Sequence, residues 1–171
     1  MSLSCKNIKI NVTLKHDICL NDLLKLNVKI QEKKHLYILR YFNFHSVITI
    51  YKHSLNKMHI TGIKKYNIKS IFLFIKEIKG IVVNVKIDNS MFICKLKKNI
   101  NLNKIISKID NQLFSCCLME EIFPALVIKP LEKRNKIYST SILFSNGTYF
   151  ILGANTVNIV KRTNNVIRSL L

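Results

Sequence analysis

The chain has 171 residues, and 28 Lys and Arg against 9 Asp and Glu leave a formal charge of +19. At 49% hydrophobic and 22% charged, with four Gly and two Pro, its composition is that of a folded globular protein and not of a disordered basic tail. The length holds one ordinary domain or two small ones, which excludes a large multidomain enzyme.

Residues 6–14 alternate Ile8, Ile10, Val12 and Leu14 with Asn7, Lys9, Asn11 and Thr13, the pattern of a strand with one buried face. A short helix is expected over residues 21–30, with Asn21 as its cap and Leu23, Leu24 and Leu26 on its apolar side. Residues 36–42, 47–51 and 57–61 read as strands, rich in aromatic and β-branched side chains, and the run ends at Gly62. Over residues 65–78 the apolar positions Ile68, Ile71, Phe72, Ile75 and Ile78 recur every three or four residues, which predicts an amphipathic helix stopped by Gly80.

The same order then begins again. Residues 81–87 alternate Val83, Val85 and Ile87 with Asn84, Lys86 and Asp88, and residues 100–113 carry Ile105, Ile106, Ile109 and Leu113 at helical spacing. Strands are expected over 123–128 and 137–144. Asn146-Gly147 favours a tight hairpin, so residues 148–152 should pair back antiparallel before Gly153. Residues 157–171 form a closing amphipathic helix. Two repeats, 1–80 and 81–171, therefore share one order of elements, with Gly62 and Gly153 at matching points. Two helices per repeat can cover only one face of an antiparallel sheet, and the opposite face is the candidate site.

No membrane span is expected, because Lys69, Lys76 and Glu77 interrupt the most apolar stretch, residues 68–78. Lys6 and Lys9 stand where a signal peptide needs its apolar segment, so a cytosolic or nuclear protein is expected, without a long N-terminal regulatory extension. The five cysteines lack metal-ligand spacing, the histidines are dispersed, and no metal or cofactor is expected. Phosphate-binding loops and the common hydrolase motifs are absent, and adjacent Glu120 and Glu121 would point to opposite faces of a strand, so a binding module is expected and not an enzyme. Abundant Lys, Asn and Ile is also what AT-rich coding produces, so charge alone does not identify the partner.

The motifs are more specific. Glu121-Ile122-Phe123-Pro124-Ala125-Leu126, then Ile142-Leu143-Phe144-Ser145-Asn146-Gly147, then Leu152-Gly153-Ala154-Asn155 resemble, in order, the second repeat of the TATA-box-binding proteins. Lys6-Asn7-Ile8 and residues 57–64, which include Lys57, His59, Thr61 and Gly62, resemble segments of that family's first repeat, and Asn84 matches the second-repeat counterpart of Asn7. The resemblance implies an α+β fold: a curved antiparallel sheet saddle of two pseudo-symmetric repeats, helices on the convex face, with the concave face bound in the minor groove of AT-rich promoter DNA. It implies that Phe123 and Phe144 wedge between base steps, that Asn7 and Asn84 donate to base-edge acceptors, and that Arg40, Lys57 and Lys129 lie beside phosphates. Glu121 and Ile122 would contact the B-type general transcription factor, with RNA polymerase machinery recruited in turn.

The chain departs from the family pattern mainly in the first repeat. Lys34 or His35 falls where one wedge phenylalanine belongs, and Tyr51 matches the other. Lys9 and Lys86 replace valines beside the paired Asn, His59 replaces a groove-facing valine, Phe150 fills its second-repeat counterpart, and Leu152 replaces a threonine. DNA binding with altered or relaxed sequence preference is expected. The alternatives are a protein-interaction scaffold of the same fold that has lost DNA binding, and a basic sheet that binds RNA.

Overall fold

The computed structural model describes residues 3–26, 28–41, 46–64, 68–119, 124–134 and 137–171. Contacts divide the chain into two compact units, Asn7–Asp88 and Met1–Lys6 with Asn89–Leu171. The expected order of elements appears twice. The first repeat runs β1 (Ser4–Leu14), α1 (Leu20–Leu24), β2 (Val28–Glu32), β3 (Leu36–Tyr41), β4 (Val47–Tyr51), β5 (Ser54–Ile63) and α2 (Ile68–Glu77). The second runs β6 (Val82–Lys95), α3 (Leu102–Ile106), β7 (Phe114–Met119), β8 (Ala125–Pro130), β9 (Thr140–Phe144), β10 (Thr148–Leu152) and α4 (Val157–Leu170), with a short 3₁₀ turn at Glu132–Arg134. Strand order is β2-β3-β4-β5-β1 in one repeat and β6-β10-β9-β8-β7 in the other.

Each repeat buries one face of its strands under its own helices. In the first, Val12, Leu14, Leu39, Ile48, Ile50, Met58 and Ile60 pack with Leu23 of α1, with Ile71, Phe74 and Ile75 of α2, and with Ile78 just past α2. In the second, Cys94, Leu126, Ile128, Leu143, Tyr149 and Ile151 pack with Ile105 of α3 and Ile159, Val160, Ile167 and Leu170 of α4. The Thr156 hydroxyl starts α4 by accepting from Ile159 N at 3.3 Å. Full burial of one such aliphatic side chain contributes about 1.5–3 kcal/mol, so these faces hold the helices on.

Several boundaries differ from the sequence reading. The helix expected over 21–30 is one turn, because Val28 and Ile30 alternate into a strand that pairs with β3. The helix expected over 100–113 stops at Ile106; Asp110 turns the chain by accepting from Gln112 N at 2.8 Å, and β7 follows. The strand expected over 81–87 continues to Lys95. Past α2, Lys79 and not Gly80 takes the positive φ, 51°, while Gly80 N donates to Ile75 O at 2.9 Å.

Candidate nucleic-acid interface

Alternation along each strand sets which residues lie opposite the helices. In the first repeat these are Lys9, Asn11 and Thr13 of β1, Lys57, His59 and Thr61 of β5, Thr49 and Tyr51 of β4, and Arg40 of β3. Strand register aligns them in rows. Asn11 faces His59, which faces Thr49 across β4, while Thr13 faces Lys57 and Thr61 faces Val47, next to Arg40. The Tyr51 ring meets His59 edge-on at 5.2 Å and His53 at 5.5 Å.

Electrostatics tie the middle of this face together. Lys9 Nζ lies 3.0 Å from Asp88 Oδ2. That hydrogen bond, helped by one from the Asn11 amide and opposed by partial burial, holds the Asp88 carboxyl below its ordinary value. Burial and the neighbouring Lys9 charge push His59 down, with Asp88 acting in the opposite direction, so the imidazole is neutral at neutral pH. Asn11 Oδ1 is buried without a hydrogen-bond partner among the described residues.

The corresponding face of the second repeat is mostly apolar. Phe150 of β10 lies between Ile93 of β6 and Ile142 of β9, and Leu152 lies between Met91 and Thr140. Phe144 and Phe150 share this face, their rings edge-to-face at 5.9 Å. Exposed Lys129 faces Ser115 at its outer side. Phe123, Glu121 and Ile122 lie outside the described residues, and Lys34 and His35, also exposed, lie in the β2–β3 turn.

One correspondence differs from the sequence reading. Gly62 has φ 80° and its N–H donates to Asn7 Oδ1 at 2.9 Å; Gly153 has φ 84° and its N–H donates to Asn89 Oδ1 at 3.0 Å. At Gly62 the register slips by one residue against β1, so the glycine forms a bulge in a backbone conformation that L-side chains avoid. The structural counterpart of Asn7 is therefore Asn89, not Asn84, and that of Lys9 is Met91, not Lys86. Asn84 and Lys86 are exposed near the start of β6. The clue in the sequence was the distance to the buried alternation: Asn7 precedes Ile10, Val12 and Leu14 as Asn89 precedes Phe92, Cys94 and Leu96.

In both asparagines the glycine N–H fixes the amide orientation, because only the oxygen can accept from it. The amide NH₂ is thereby the end available to donate outward. In each unit by itself, an exposed amide donor, beside lysines in the first and aromatic rings in the second, is chemically suited to an acceptor-rich surface.

No curated protein matches the chain significantly. Among solved structures it is similar to the Methanococcus jannaschii TATA-binding protein, with a TM-score of 0.74 and 20% identity over 99% of this chain and 98% of that one. That likeness establishes the α+β fold expected from the sequence. The family model described as "Transcription factor TFIID (or TATA-binding protein, TBP)" matches residues 84–171, just over half of the chain. Its members are DNA-binding transcription factors and not enzymes, and this chain belongs to that family.

Proposed function

We propose that the chain is a divergent TATA-binding-protein-like initiation factor that lays the helix-free face of its sheet in the minor groove of AT-rich promoter DNA. The observation that carries this reading is the pair of bulge-anchored amides, Asn7 with Gly62 and Asn89 with Gly153. The minor groove of A·T pairs offers only the acceptors adenine N3 and thymine O2, and an amide NH₂ held outward meets them. Phe144 supplies a ring for opening a base step, with Phe123 as the second wedge of its repeat, and Phe150 packs edge-on beside Phe144. Arg40, Lys57 and Lys129 add salt-dependent attraction to phosphates. The bound factor recruits general transcription machinery, with Glu121 and Ile122 meeting a B-type factor, and acts in the nucleus, or at a viral transcription site if virus-encoded.

Salt-titrated binding to AT-rich duplex, GC-rich duplex and single-stranded RNA tests this reading. A steep salt dependence with preference for the AT-rich duplex is expected. The scaffold alternative draws on the Lys9–Asp88 pair, which neutralises a cation on the binding face, and binding to none of the three would favour it.

A further inference from the structure

We propose that the β2–β3 hairpin of the first repeat is a phosphate clamp, in which Lys29 and Arg40 together grip one backbone phosphate of the bound duplex. The inference rests on the minor-groove reading above and adds to it a site built from two opposed cations.

Lys29 of β2 stands directly opposite Arg40 of β3, and Gln31 stands opposite Ile38 one pair along on the same side. Val28, Ile30 and Leu39 pack into the first-repeat core, so Lys29, Gln31, Ile38 and Arg40 lie away from the helices. A cleft of about 230 Å³ is lined by these four residues and Ile30. Directly opposed side chains start from Cβ atoms about 5 Å apart, inside the roughly 8 Å screening length of physiological salt, so the two cations repel and weaken the strand pair. Among the described residues neither meets a carboxylate. Residues 28–41 hold four Lys and Arg and a single acid, Glu32. That acid is engaged on the other side: it pairs with Lys52, whose ammonium lies 5.1 Å from the centre of the Tyr37 ring, and Tyr37 packs against the core.

An anion held between Lys29 and Arg40 turns this repulsion into attraction. A DNA phosphate suits the place: the guanidinium offers a planar fork to two oxygens, the ammonium adds a compact charge, and the Gln31 amide can donate beside them. Strand register carries the row from Lys29 and Arg40 through Val47 to Thr61, so the clamp continues the face assigned to the groove. It lies on the outermost strand of that repeat, where a sheet seated in a groove reaches the backbone. The second repeat provides the internal comparison. There Ser115 of the outermost strand faces Lys129, so a neutral residue stands where the first repeat has its second cation.

Methylphosphonate substitution, which makes one phosphate neutral at a time along an AT-rich duplex, locates the contact by anisotropy titration. The parent protein should lose affinity several-fold at each phosphate it grips, and one of those losses should disappear both in Lys29→Ala and in Arg40→Ala. Lys29→Ala should lower the slope of log affinity against log salt by about one, and Lys29→Glu by about two. Lys29→Glu should also unfold at a higher urea concentration than the parent, because it replaces opposed like charges with an ion pair while weakening binding. A merely structural Lys29 would not separate stability from affinity in this way. If Lys29→Ala binds the duplex with the parent's salt slope and the parent's methylphosphonate profile, the clamp is overturned and the minor-groove reading stands. Failure of the parent to bind any duplex overturns both.

Discussion

Asn89 accepts a hydrogen bond from the Gly153 backbone at 3.0 Å, and Asn7 accepts the same bond from Gly62 at 2.9 Å. This repeated contact fixes the internal symmetry of the chain residue by residue, and it orients both amides with their donors outward. The consequence for binding is direct. Asn89→Ala should weaken affinity for AT-rich duplex roughly tenfold, whereas Asn84→Ala, five positions earlier and exposed, should change it less than about twofold. Anisotropy titrations of the two variants decide between the positions.

Gly153→Ala should destabilise the fold by about 1–2 kcal/mol. A Cβ there meets no atom within 4 Å, so the cost comes from the backbone at φ +84° and not from crowding. Urea denaturation measures it, and Gly153→Asn should cost less because asparagine tolerates that conformation better.

Arg40 and Lys129 are exposed, on strands β3 and β8. Arg40→Ala and Lys129→Ala should each weaken binding to all duplex sequences alike and reduce the slope of log affinity against log salt by about one. An effect confined to one DNA sequence would contradict the phosphate role.

Much of the fold was readable because its alternation is clean. The strands expected over 47–51 and 148–152 coincide with β4 and β10, where every second residue is buried. Strands β2 and β7 were hidden because each follows a single helical turn whose leucines or isoleucines merge with the strand's own apolar residues, as Leu26 does with Val28 and Ile30. The placement of His59, Thr61, Phe144, Phe150 and Leu152 on the sides of their strands away from the helices was legible from alternation, whereas their roles toward DNA rest on the family resemblance. Asn89 was not, because Asn84 sits between two valines, a closer imitation of the Asn7 setting than the Asp88-Asn89-Ser90 context offers. The Lys9–Asp88 pair joins residues of two strands far apart in the chain, and periodicity within either strand carries no trace of it.

His59 gives the fold a pH dependence of definite sign. Its folded-state value lies below its ordinary one, so the unfolded chain binds more protons as pH falls, and stability is lost as pH drops through about 6.5 towards the folded value. Asp88 adds a separate loss at lower pH, since its depressed value contributes stability above the ordinary carboxylate range and forfeits it as the carboxylate protonates. Melting temperatures of the parent and of His59→Val should converge as pH is lowered from about 7.5 to 5.5, the variant losing less.

Energy transfer across an AT-rich duplex labelled at both ends, titrated with the protein, tests the central claim most directly. Binding should shorten the end-to-end distance, and Phe144→Ala should bind with less shortening, because a ring on the helix-free face would no longer enter a base step. A duplex that stays straight when saturated, or a bend that Phe144→Ala leaves unchanged, would contradict a wedged minor-groove complex on this face.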